Sequence, residues 1–180
     1  RVEHSPMRSV LRALDLYLAT LMGGAGTTVR EVLAEAGTPP LRWRALAGRE
    51  RPHTVATILL LAAEYLGAKV PERRTRRAIA AGLAFARELA DTVGDGLLLH
   101  PPFARVAPRH GRTVGRPWVI AHMAIFNLGG LPVTQVPLGL DRNGLPLGVQ
   151  VAAAPGNDHL TIAAALALER AFGGWVPPPR

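Results

Sequence analysis

Apolar positions recur every three to four residues through the first half of the chain, then give way to short alternating or all-apolar runs. Val10, Leu11, Leu14, Leu18 and Leu21 share one stripe, with Ser5 and Pro6 placed as cap and first-turn residues and Gly23 and Gly24 as a stop. That spacing predicts an amphipathic helix. Thr28 and Glu31 have capping-box spacing ahead of Val32 and Leu33, and Gly37, Pro39 and Pro40 terminate the short helix that follows. His53 to Leu66 is apolar almost all round and closes at Gly67, the pattern of a helix buried on several sides. From Pro71 to Val93, Ile79, Leu83, Ala86 and Leu89 keep helical spacing before Gly94. These last two helices are expected to form a hairpin-like pair.

The pattern changes at Gly96. Leu97 to Leu99 is an all-apolar run that suits a strand covered on both faces, and an irregular stretch rich in Pro, Gly and Arg runs from Pro101 to Arg116. Trp118 to Asn127 reads as one helix ended by Gly129 and Gly130. Val133 to Pro137 and Leu145 to Ala153 read as strands joined by Asp141-Arg142-Asn143-Gly144, which predicts a β-hairpin. Asn157 or Asp158 caps a final helix, His159 to Phe172, closed by Gly173 and Gly174, and Pro177 to Pro179 can form no ladder. The hairpin strands offer small or apolar residues to both faces, Val149 and Val151 to one, Gly148, Ala152 and a lone Gln150 to the other. Such strands belong inside a larger sheet, and three strands leave bare edges. Residues preceding Arg1 are therefore expected to supply more strands, and an opening at Arg1 rather than Met is read as processing or as a piece of a longer protein.

The 180 residues suffice for one ordinary domain, and 48% hydrophobic with 19% charged residues is a globular mix. Cysteine is absent, which removes disulfides, thiolate catalysis and cysteine-bound metals. The longest apolar run, Ile58 to Ala63, falls far short of the roughly 20 residues of a membrane span. No targeting segment is visible, so the compartment stays open with the cytoplasm favoured. The formal charge is +8, but the arginines are scattered, and the densest group, Arg73, Arg74, Arg76 and Arg77, shares its helix with Glu72, Glu88 and Asp91. Aromatic residues make up 5%, too few for base-stacking platforms, so a solvated basic surface is expected and no nucleic-acid partner. His4, His53, His100 and His159 form no metal-ligand spacing, so neither metal nor cofactor is expected.

Phe126-Asn127-Leu128-Gly129-Gly130-Leu131-Pro132-Val133-Thr134-Gln135-Val136-Pro137, followed by Asn143-Gly144-Leu145-Pro146-Leu147-Gly148-Val149-Gln150-Val151, resembles the C-terminal end of amidase-signature hydrolases. Among them it looks most like the fatty-acid amide hydrolase 2 type, which shares Pro155, Asn157 to Thr161 and Phe172 to Trp175. The match is good from Asp95 onward; the helical half matches in pattern and between Arg51 and Leu60. The resemblance implies an α/β fold. The chain would be the C-terminal part of a single α/β/α sandwich with a mixed sheet, residues 1–95 forming a helical layer and 96–180 strands, a pocket helix and a terminal helix.

Members of that family cut amide bonds with a serine nucleophile, a second serine and a lysine base, plus an oxyanion hole. An amide carbonyl needs an activated hydroxyl, a proton shuttle and donors for the developing charge. Serine occurs here only as Ser5 and Ser9, and Lys69, the one lysine, sits in the turn between Gly67 and Pro71. No catalytic residue is assigned within the chain, and the matching machinery is expected upstream of Arg1. By resemblance, Pro117 to Asn127 lines the acyl side of a substrate cavity, with Pro117, Ile120 and Ala124 as substrate-binding candidates. Ile120 and Ala124 fall four apart, on one face of a helix. An aliphatic Ile120 implies an apolar amide substrate; the same two residues can equally be ordinary core contacts of one amphipathic helix. The stretch from Pro102 to Arg116 either borders the cavity or crosses the surface, the second being favoured. His122 reads as a core histidine and Asp158 as a helix cap. The expected partners are the N-terminal part of the same domain and a small-molecule amide, and the chain alone is expected to be inactive and to associate, as a homo-oligomer or with a chaperone. Two rivals are a non-catalytic remnant that binds through its open sheet edge and a basic nucleic-acid-binding domain.

Overall fold

The computed structural model describes residues 10–24, 26–40 and 53–177; Ser5, Pro6, Ser9, Arg51, Pro178 and Pro179 lie outside them. Among these residues six α-helices and three strands follow in chain order: α1 (Val10–Gly24), α2 (Val29–Glu35), α3 (Val55–Gly67), α4 (Glu72–Val93), β1 (Leu98–His100), α5 (Ala121–Gly129), β2 (Val133–Leu140), β3 (Pro146–Ala152) and α6 (Asp158–Phe172).

Local chemistry accounts for the boundaries. At α2 the Thr28 side chain accepts from the Glu31 amide at 3.1 Å while the Glu31 carboxylate accepts from the Thr28 amide at 2.6 Å, the reciprocal box that the spacing predicts. The bond from the Thr28 amide, and secondarily the Thr28 hydroxyl, holds the Glu31 carboxyl below its ordinary range. Thr54 caps α3 by accepting from the Thr57 amide. At α6 the cap position is Asn157, yet its side chain makes no capping bond; Asp158 instead opens the first turn, where a carboxylate meets the positive helix end.

The three strands form one antiparallel sheet in the order β1-β3-β2. The hairpin turn is built on Asp141, whose carboxylate accepts from the Asn143 and Leu145 amides at 2.8 Å each, with Gly144 alone at positive φ. These amide bonds pull the Asp141 carboxyl below its usual value. On one face of the sheet Val136 and Val151 pack with Ala165 of α6. Across the other face Ala152 joins Ala13, Leu89, Ile125, Phe126 and Leu131. Helices therefore cover the sheet on both sides, the α/β layering that the sequence predicts.

α1 packs between α4 and α5. Gly82 makes the close approach possible, because a Cβ there would lie 3.1 Å from Thr20 Oγ1 and 3.2 Å from Leu128 Cδ1.

Several expectations are corrected. α3 is not buried on several sides: Leu61 is its buried residue, while Val55, Leu59, Leu60, Tyr65 and Leu66 are exposed. α4 packs mainly on α1 and α5 rather than pairing with α3, and among the described residues α3 packs chiefly against α2 and part of α1. Leu83 is exposed because the buried stripe of α4 runs through Gly82 and Leu89, and Leu83 falls to its side. β1 is open on one face, with Leu99 56% exposed. The helix expected over Trp118–Asn127 is two elements, a 3-10 turn at Pro117–Ile120 and then α5. Pro117 at its first position fixes the entry of the 3-10 turn.

Candidate functional site

Between β1 and α5 the chain runs through tight turns, with the Arg112 amide bonding Arg109 O, the Val114 amide bonding Gly111 O and the Arg116 amide bonding Thr113 O at 3.1 to 3.2 Å. These turns and the start of α5 border an open cleft of about 370 Å³, lined by Phe103, Arg105, Arg112, Arg116, Trp118 and His122 among others. The stretch from Pro102 to Arg116 crosses the surface, nearly all of it exposed, and part of it lines this cleft.

His122 closes one side. Its Nδ1 lies 3.0 Å from His100 Nε2, the rings tilted by 33° with centroids 5.1 Å apart. His100 is buried, and its ring stands T-shaped to that of Phe126, with centroids 5.3 Å apart and planes at 81°. Burial, and secondarily the neighbouring His122, lowers the pKa of His100 to about 4. One hydrogen bond between two imidazoles needs one bare nitrogen and one protonated nitrogen. At neutral pH His100 is uncharged, which meets that condition.

β3 extends this polar row. Gln150 stands opposite His100 on β1 and opposite Gln135 on β2. Gln150 Oε1 is buried and accepts no hydrogen bond among the described residues. The lone polar residue on that strand face thus belongs to a band of four side chains, Gln135, Gln150, His100 and His122. Sequence reading missed the band, since positions 100, 122 and 150 carry no spacing signal; only the strand register and the packing of α5 bring them together.

The substrate-binding candidates are placed as follows. Ala124 is buried with Leu14 and Ala121, and Ile120 packs on the same cluster beside Tyr17 and Leu18. Ile120 and Ala124 both pack toward α1, and neither lines the cavity. Pro117 opens the 3-10 turn, and its side chain lies outside the described part. Lys69 sits at the helix turn with its Nζ 4.3 Å above the Tyr65 ring, away from this cavity. Both serines lie outside the described residues, which hold no cluster of three metal-ligating side chains. No described helix is long and apolar enough to cross a membrane.

A larger cavity, about 590 Å³, lies between α2 and α3. Its histidine, His53, is already bonded, Nε2 to Pro39 O at 2.9 Å. It offers apolar surface and little chemistry.

Comparison with known proteins gives the arrangement its context. No family model matches the chain. Fatty-acid amide hydrolase 2 of Homo sapiens is 54% identical over 93 residues, 51% of this chain and 18% of that protein. A glutamyl-tRNA(Gln) amidotransferase subunit of Jannaschia sp. (strain CCS1) is 31% identical over 172 residues, 91% of this chain and 32% of that protein. The chain spans a third or less of the curated relatives it matches. In fold it is similar to a crystallised amidase, with a TM-score of 0.66 at 22% identity over 92% of this chain and 36% of that one. It is also similar to 6-aminohexanoate cyclic dimer hydrolase, with a TM-score of 0.64 at 21% identity over 92% of this chain and 35% of that one. By its motifs, its sequence relatives and its fold, the chain belongs to the amidase signature family.

Proposed function

We propose that this chain is the C-terminal portion of an amide hydrolase. In that role it contributes sheet strands, covering helices and part of the substrate wall. The serine and lysine chemistry comes from residues outside 1–180. The observation that carries the reading is the stretch 126–151, whose Gly, Pro and Asn positions match the family and whose hairpin supplies two of the three strands of the observed sheet. The reaction is attack of an activated hydroxyl on the amide carbonyl, release of the amine, and hydrolysis of the acyl-enzyme by water.

The wall runs along Pro117 to Ala124. Trp118, Val119 and His122 face the cavity, while Ile120 and Ala124 pack toward α1. The apolar surface of Trp118 and Val119 supports an apolar acyl or aryl group as the part bound against this wall, since a polar group would lose its hydrogen bonds there. The test is hydrolysis of dodecanoyl against acetyl anilide by the native polypeptide that carries these residues. Long-chain preference is expected, and Val119→Asp should reduce it. Equal turnover of both anilides, unaltered by that substitution, contradicts an apolar wall.

A further inference from the structure

The same cavity carries a charge pattern that an apolar wall does not explain. Arg105, Arg112 and Arg116 all line it, together with His122, and among the described residues no Asp or Glu does. Between Asp95 and Asp141 the sequence holds no carboxylate at all, although it holds Arg105, Arg109, Arg112 and Arg116. Among the described residues the ion pair of an arginine with an acid is Arg76 with Glu72, on the distant α4. Three exposed arginines thus border one open cleft with no described counter-charge, while Phe103, Pro108, Trp118 and Val119 supply apolar surface beside them. Guanidinium forks bind carboxylates in two-point fashion, and an aromatic wall favours an attached apolar body.

We propose that this cavity binds a carboxylate attached to an apolar chain. The inference rests on the amide-hydrolase reading for the source of that carboxylate, because an amide cut by water yields one as product, and an acylated amino acid already carries one on its amine side. The shared chemistry is the anion held by Arg105, Arg112 and Arg116 with its apolar body along Trp118 and Val119.

Binding is measured by calorimetry on the native polypeptide that carries residues 1–180, so that turnover is not needed for the result. The probes are N-(dodecylsulfonyl)glycine, which resists acyl transfer, its neutral glycinamide counterpart, and dodecanoate. At 50 mM salt the glycine acid should bind about tenfold tighter than the amide, and the gap should shrink at 500 mM. Tighter binding of the glycine acid than of dodecanoate assigns the site to the substrate's amine side, and the reverse assigns it to the product; both support the proposal. The double variant Arg112→Gln with Arg116→Gln should bind acid and amide alike. Equal binding by the unsubstituted protein, or a preference insensitive to both salt and the arginine substitutions, overturns it. The salt series needs no variant and decides the matter if the double variant does not fold. Acid preference without amide hydrolysis would refute the proposed function and leave this site standing.

Discussion

His100 and His122 share one hydrogen bond, Nε2 to Nδ1 at 3.0 Å, across the boundary between β1 and α5. It ties the sheet to the cavity wall, and it exists only while one of the two facing nitrogens is bare.

Folding stability should therefore depend on pH through His100. Its pKa falls from 6.5 in the unfolded chain to about 4 in the fold, with burial the main cause. Between those values the unfolded chain binds the extra proton and the folded one does not, so stability rises with pH across the window. The contribution is complete above about pH 6.5 and is lost as pH falls toward 4. Denaturant melts at pH 4.5, 5.5 and 7 should show the slope, and His100→Asn should flatten it.

A second polar link lies on the opposite face of the sheet. Thr134 Oγ1 donates to Thr161 Oγ1 at 2.9 Å, and Thr161 Oγ1 donates to Asp158 O at 2.8 Å. Thr161 is 2% exposed, so water cannot replace either bond. Thr161→Val should cost about 1–3 kcal/mol in a urea melt, and Thr161→Ser clearly less.

The hairpin depends on a missing side chain. A Cβ at Gly148 would lie 2.8 Å from Val136 O and strike Gln135 Nε2. The carbonyl belongs to the neighbouring strand and cannot swing away. Gly148→Ala should destabilise by about 1–3 kcal/mol and weaken the protection of β2 amides in hydrogen exchange.

Local signals and tertiary arrangement differ sharply in how much of them the sequence carries. The Thr28–Glu31 box, the Asp141–Gly144 turn and the glycine stops are short-range chemistry, and they stand where the spacing puts them. The partners of α3 and α4 are not short-range. An all-apolar helix such as Val55–Gly67 says that something should cover it without saying what, and α4 chose α1 because Gly82 admits Thr20 and Leu128. The site divides in the same way. Position 122 on an apolar helix reads as a core histidine, yet its partner comes from β1 through packing that no spacing encodes.

The open face of α3 makes a solubility prediction. Leu59 is 47% exposed and Leu66 63%. Replacing both by Gln should raise the soluble fraction on expression while shifting the unfolding free energy by no more than about 0.5 kcal/mol.

The measurement closest to the central claim is amide hydrolysis by two polypeptides side by side, residues 1–180 alone and the native polypeptide that carries them, each given dodecanoyl anilide. The account predicts turnover with an acyl-enzyme burst by the native polypeptide and none by residues 1–180. Cleavage by residues 1–180 alone, or no cleavage of any amide by the native polypeptide, would contradict it.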